Sequence, residues 1–216
     1  MSKRTIPAGA VVRGTDKGYD HAAPKPGSER PVDKTYEGQK YPYMRPRDAA
    51  TLILVRMRSR KPEVLMGCRD AKHAFMPNRY VFPGGRVDRA DAHVPIATSL
   101  DRHVNARLQK AATPLRARAL GVAAVRETFE ETGLMLAKPL KGGAPGKDYG
   151  EHWHGFLDQG LAPALDCLDL IARAVTPPGR PRRFNARFFM ARAEDASGEI
   201  RHSSEMGDIR WVALDE

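Results

Sequence analysis

The sequence predicts an α/β (α+β) domain, and three observations carry that expectation. Two strand-like apolar runs stand in tandem, AATLILVRM from Ala49 and EVLMGCR over 63–69. A long segment with strong helical period, LRARALGVAAVRETFEETGLMLA, follows Pro114, and three more strand-like stretches at 168–175, 183–192 and 208–213 come after it. Alternating and continuous apolar runs of this length suit strands, whereas apolar residues recurring at i, i+3, i+4 suit a helix packed on them. At 216 residues, 41% hydrophobic and 29% charged, the chain has the apolar content for one cored domain. The same composition excludes collagen, coiled coil and wholesale disorder.

Each element has a local reason. Residues 1–47 are rich in Lys, Pro, Gly and Asp with almost no periodic apolar pattern, so they predict a flexible extension that cannot offset its ordering entropy. The domain is expected over 48–216. RSRKP between the first two strands predicts a hairpin turn. Tyr80, Val81 and Phe82 read as a short strand that Pro83 ends, with Gly84 and Gly85 opening a tight loop. Residues 92–114 are mixed and polar, punctuated by Pro95 and Pro114, and predict an insertion with a short helix near 99–111. The main helix is expected over 115–132, stopped by Gly133 as a left-handed C-cap. KGGAPGKDYG reads as a loop and EHWHGFLDQG as a short helix. The chain closes on IRWVALDE, where Asp215 resembles a helix N-cap with no helix behind it.

Charge narrows the partners. The formal net charge is +10, and it is polarised: residues 1–118 hold 24 basic against 11 acidic residues, while 119–216 hold 12 against 15. There is no block of five or six consecutive basic residues, which argues against a nucleic-acid-binding arm and leaves small polyanionic substrates as the expected partners. No apolar run approaches the ~18 residues that span a bilayer, and no membrane partner is expected. The N-terminus lacks the apolar core of a secretory signal, so a cytoplasmic location is the expectation. Cys68 and Cys167 form no metal-spaced pair and read as reduced core thiols.

Chemistry concentrates on the main helix. Glu127, Glu130 and Glu131 lie at i, i+3 and i+4, within about 100° of arc on one face, and Val122, Val125 and Phe129 form an apolar stripe on nearly the opposite side. Like charges at i, i+4 destabilise a helix by a few tenths of a kcal/mol each, so three together call for a counter-charge. A hard divalent cation, Mg²⁺ or Mn²⁺, suits oxygen ligands that bridge to substrate phosphates. Arg126 can orient one carboxylate through its planar fork. A solvated acidic helix face is the bland alternative.

Gly85 followed by Arg126-Glu127-Thr128-Phe129-Glu130-Glu131-Thr132-Gly133-Leu134 resembles the Nudix box, GX5EX7REUXEEXGU, with U a bulky apolar residue. The helical half matches at every fixed Arg, Glu and Gly position, with Thr128 at the first U. Two departures stand in the first half: Asp91 occupies the place of the family's first glutamate, and it lies 35 positions before Arg126 where the family has 8. The box is split by the insertion, and the role of Asp91 is left open. With FMPNRYVFPGGRVDRAD ahead of it, the segment looks like the branch that includes a peroxisomal CoA and acyl-CoA diphosphatase. The resemblance runs from about Ala49 to the C-terminus.

The resemblance implies an α/β/α sandwich with a mixed sheet, here lacking the usual C-terminal helix. It implies hydrolysis of a nucleoside diphosphate linked to another moiety by metal-activated water attack on the diphosphate, with CoA or acyl-CoA the preferred substrate and NADH, NDP-sugars and dinucleoside polyphosphates left open. Metal ligands carry over to Glu127, Glu130 and Glu131, with Arg126 orienting Glu127. The general base is Glu127, Glu130 or, on a loop after the box, Glu205. Arg69, Lys72, Arg79 and Arg86, with Gly84 and Gly85, are the expected substrate contacts, since guanidinium forks match phosphate oxygens. A catalytically silent module that binds nucleotide or RNA is the alternative. An uncovered sheet face would predict lower stability or a covering partner, a homodimer included.

Overall fold

In the computed structural model of the chain the described residues are 44–69, 79–143, 145–201, 203 and 206–214, with only the backbone of Arg69 and of two short strands, β1 (Thr35–Tyr36) and β2 (Gln39–Lys40). The rest of the expected extension up to residue 43, together with Lys72 and Glu205, lies outside them. Residues 44–47, expected in the extension, are joined to the domain: the Met44 carbonyl accepts a hydrogen bond from Arg183 Nη1 at 2.6 Å, and Arg47 begins a strand.

That strand, β3 (Arg47–Arg58), pairs antiparallel with β4 (Lys61–Arg69), the expected hairpin. Ser59 and Arg60 turn it at φ 49° and 68°, and two successive left-handed residues match the strand twist in a two-residue turn. β5 (Tyr80–Val81) pairs with β4. The two glycines expected to open a loop instead belong to β6 (Gly84–Arg86), which pairs antiparallel with β3 from Thr51 to Ala49. β4 and β6 thus share one edge of β3, each taking half, and the sheet forks between them. At Gly84, with φ 153°, a side chain would bring Cβ to 2.4 Å from the Ala50 carbonyl oxygen, so only glycine permits this approach.

A 3-10 turn at Ala90–Ala92 precedes α1 (Arg102–Gln109), which Asp101 caps by accepting the His103 N–H at 2.7 Å. α2 (Pro114–Thr132) has Thr113 as N-cap, Pro114 at its first position, and Gly133 as a left-handed C-cap at φ 78°. A short pair follows, β7 (Ala137–Pro139) with β8 (Leu161–Pro163), which the sequence reading missed because three-residue strands carry no period. Between them a 3-10 turn at Glu151–Trp153 leads into α3 (His154–Leu157). β9 (Asp169–Val175), β10 (Phe184–Arg192), a 3-10 turn at Ala193–Asp195 and β11 (Met206–Ala213) complete the order.

The main sheet runs β11-β4-β3-β10-β9, and it is mixed because β10 pairs parallel with β3 while the other pairs are antiparallel. Ala50, Leu52 and Leu54 of β3 and Phe189 of β10 share one face and are fully or almost fully buried with Leu120, Val122 and Val125 of α2. The insertion is part of this core: Val94, Val104 and Leu108 are buried in the same cluster. Each large aliphatic group so enclosed contributes roughly 1.5–3 kcal/mol. On the other face Thr51, Ile53 and Val55 are half-buried. Phe129, expected against the sheet, packs edge-on against Phe156 at 4.9 Å, on the segment that holds α3. Both cysteines are half-buried, and burial pushes the Cys167 thiol up to about 11. Among the described residues no helix is long and apolar enough to cross a membrane.

Candidate active site

The site is organised by one buried cation. Arg126, on α2, is 2% exposed and its guanidinium meets four carbonyl or carboxylate groups. Nε donates to Asp91 Oδ1 at 2.9 Å and Nη2 to Asp91 Oδ2 at 3.1 Å, a two-point fork. Nη2 also donates to the Arg86 carbonyl at 2.9 Å, and Nη1 lies 2.9 Å from Glu127 Oε1 and 3.2 Å from Glu130 Oε2. Burial by itself would lower the arginine's pKa, but the Asp91 hydrogen bond and the charges of Glu127, Asp91 and Glu130 outweigh it and raise it.

Asp91, whose role the sequence left open, is fully buried and holds the arginine by two hydrogen bonds. It also accepts the Asp88 N–H at 2.7 Å, which closes the 3-10 turn on which it sits. Arg118, about two helical turns before the box arginine, donates to the Ala92 carbonyl at 2.6 Å and to that of Val94, so α2 grips the turn at two levels. The chain between Asp91 and α2 folds away through α1 and returns, leaving Asp91 and Arg126 in contact across 35 positions.

The three glutamates occupy different surroundings. Glu131 is buried, and its Oε2 accepts the Gly84 N–H at 2.7 Å, which fixes the end of α2 to β6. Glu127 packs against Gly85, where an added Cβ would stand 2.4 Å from Glu127 Oε2. Its pKa rises to about 7: burial pushes it up, the Arg126 charge pulls it down, and Glu130 pushes it up again. Glu130 pairs with Arg126 and with His152 Nδ1 at 2.9 Å, a histidine that nothing in the local sequence marked.

Glu127 and Glu131 line a cleft of about 750 Å³ with Gly84, Gly85, Thr51 and Arg86. That volume lies within the range of small-ligand sites. The cleft has a basic far side that the sequence reading missed: Arg45 and Arg47 from the start of the domain, and Arg182 and Arg183 from the tip between β9 and β10. The only available signal was the arginine-rich run GRPRRF at 179–184.

Of the expected substrate contacts, Gly84, Gly85 and Arg86 line the cleft, and Arg86 lies 3.6 Å from Asp88. Arg79 is exposed just ahead of β5 and is not among the residues lining the cleft. The backbone of Arg69 ends β4, paired with Met206. Lys72 and Glu205 lie outside the described residues.

Among the described residues no three His, Cys, Asp or Glu side chains converge as a ready metal cluster. The donor chemistry nevertheless fits a hard cation. Glu127 and Glu131 bring oxygen ligands to one cleft, and Glu127 is a carboxylate whose negative charge the protein does not fully compensate.

No family model matches the chain. The chain is 30% identical over 174 residues to the Caenorhabditis elegans protein named "Putative nudix hydrolase 7", an alignment covering 77% of this chain and 51% of that protein. It therefore spans about half the length of the curated relative it matches. The structure is similar to the crystal structure of a NUDIX hydrolase from Alicyclobacillus acidocaldarius, with a TM-score of 0.59 and 29% identity, covering 78% of this chain and 79% of the other. Both likenesses support the Nudix hydrolase family, and the structural one agrees with the mixed-sheet α+β architecture.

Proposed function

We propose that this chain, similar in sequence and fold to Nudix hydrolases, is a pyrophosphohydrolase that cleaves a nucleoside diphosphate linked to another moiety, with Mg²⁺ or Mn²⁺ as its cofactor. The observation that carries the reading is the Arg126 hub, which gathers Asp91, Glu127 and Glu130 beside a cleft large enough for a nucleotide. Three carboxylates around one arginine are poorly explained by stability, since a buried ion-pair network is roughly neutral against apolar packing.

Glu127, Glu130 and Glu131 are the residues that would hold the metal. A divalent cation, when bound, neutralises diphosphate charge and lowers the pKa of a coordinated water. The rest falls to the chain. Asp91 locks the guanidinium plane, and that plane holds Glu127 and Glu130 at fixed offsets. The Gly84 N–H holds Glu131, and the absence of a side chain at Gly85 leaves room for the Glu127 carboxylate. Arg86, at the cleft rim, is placed to pair with a phosphate oxygen. The proton given up by the attacking water passes to a carboxylate, for which Glu127, Glu130 and Glu205 are the candidates.

CoA or acyl-CoA is the proposed substrate, on the likeness of the segment around FPGGRVDRAD to that branch. The test is product formation from CoA, acyl-CoA, NADH, ADP-ribose, UDP-glucose and dinucleoside polyphosphates with either metal, in wild type and Glu130→Gln. Metal-dependent cleavage that the variant loses is the expected result. Nucleotide binding with no cleavage under either metal would replace the enzyme reading by a binding module.

A further inference from the structure

We infer that Arg45, Arg47 and Arg182 form a recognition site for a phosphate group additional to the diphosphate that is cleaved, so that the preferred substrate carries at least one more phosphate. The inference rests on the pyrophosphohydrolase reading for the place of the scissile diphosphate, and on the cleft itself for the rest.

The first argument is charge. The residues lining the cleft include five arginines, Arg45, Arg47, Arg86, Arg182 and Arg183, and two acids, Glu127 and Glu131. A diphosphate linkage carries about two negative charges, and a divalent cation at the glutamates already offsets them. Five arginines then stand against two carboxylates, an excess of three positive charges around the cleft. Among the described residues Arg45, Arg47 and Arg182 make no ion pair, whereas Arg86 has Asp88 near it. A phosphate monoester carries about −1.5 to −2 at neutral pH with three acceptor oxygens, which matches guanidinium donors from more than one arginine.

The second argument is construction. These arginines come from two segments far apart in sequence, and a buried clamp joins them. Arg183, 7% exposed, donates from Nη1 to the Met44 carbonyl at 2.6 Å and from Nε to the Thr176 carbonyl at 3.0 Å. Its own carbonyl accepts the Arg47 N–H at 2.9 Å. The clamp fixes the backbone immediately beside Arg45, Arg47 and Arg182, so the three side chains start from set positions around one cleft. A fixed backbone leaves less freedom to be lost on binding than a mobile one. Phe184 and Thr51 continue the wall between this cluster and the glutamate side, giving the body of a ligand a surface that spans both ends.

The test measures binding without turnover, in metal-free buffer with chelator, by calorimetry. AMP is compared with adenosine 3′,5′-bisphosphate, and ADP with ATP, in wild type, in Arg45→Gln/Arg182→Gln and in Arg45→Lys/Arg182→Lys. We expect the additional phosphate to tighten binding by 10-fold or more in wild type for one of the pairs. The glutamine variant should reduce that ratio to below 3-fold, and the lysine variant should fall between. A gain confined to the bisphosphate places the group on the sugar, and one confined to ATP places it on the chain. Equal affinities within both pairs in wild type, or a ratio unchanged in the glutamine variant, overturn the inference. Both positions are exposed, so an unchanged melting temperature verifies that the variants fold. The substrate panel above judges the enzyme reading separately: cleavage without this phosphate preference refutes the inference alone, and the preference without cleavage refutes the enzyme alone.

Discussion

Replacing Asp91 by alanine is expected to destabilise the domain and disable the site together. The substitution removes a fully buried carboxylate that accepts from Arg126 Nε at 2.9 Å, from Arg126 Nη2 at 3.1 Å and from the Asp88 N–H at 2.7 Å. Nη2 keeps the Arg86 carbonyl, and Nη1 keeps Glu127 and Glu130. The Nε–H and the Asp88 N–H lose their acceptor. Removing one partner of a buried ion pair costs about 3–5 kcal/mol, and the surviving carboxylates place this case at about 3 kcal/mol. For a domain of this size each kcal/mol lowers Tm by roughly 2–4 °C, so a fall of roughly 6–12 °C is expected. Urea unfolding followed by circular dichroism measures the free energy directly. Asp91→Asn should lose most of the same stability, because its amide keeps the shape but supplies a donor where the arginine needs an acceptor. Asp91→Leu with Arg126→Met should recover stability but no activity, since an apolar pair can replace a buried ion pair energetically and cannot position Glu127. A loss below 1 kcal/mol in Asp91→Ala, with activity retained, would refute the view that the Asp91–Arg126 contact organises the site.

Two further predictions concern Glu127 and its neighbour. With a pKa of 4.5 when unfolded and about 7 when folded, Glu127 binds its proton more tightly in the native state. Its contribution is therefore fully present below about pH 4.5 and lost as pH rises through 7, a difference of about 3 kcal/mol at the ordinary 1.36 kcal/mol per pH unit. Urea midpoints between pH 4.5 and 8 should show that decline in wild type and a flatter profile in Glu127→Gln, with Mg²⁺ raising the wild-type midpoint more at pH 8 than at pH 5; parallel profiles would count against the assignment. Gly85→Ala puts Cβ 2.4 Å from Glu127 Oε2, so the carboxylate must swing aside. A displacement of about 1 Å at a reacting site can cost on the order of 100-fold, and kcat should fall by about that much while Tm changes little.

How much was legible in the sequence varied with the range of the interactions. The main helix, its C-cap at Gly133, its acidic face and the β3–β4 hairpin all follow from residues within a few positions of one another. Such features depend on local period and backbone preference, which the order of residues displays directly. The family resemblance rested on the same helix, since RETFEETGL is a contiguous run. Shorter elements escaped because β7, β8 and the glycine strand β6 exist only through their partners. A three-residue strand has no period to detect.

The site divides along the same line. Sequence by itself determined that three carboxylates and one arginine share a helix, and that a glycine pair precedes them. Tertiary structure decided what each one does. Packing the insertion into the core returned Asp91 to Arg126, while other segments brought His152 to Glu130 and the Gly84 N–H to Glu131. It also carried Arg45 and Arg182 to one wall of the cleft, two residues separated by more than half the chain. A burial or a hydrogen bond between distant segments leaves no mark in the neighbouring residues of either. Its energy comes from removing both from water together, and only the folded chain brings them to the same place.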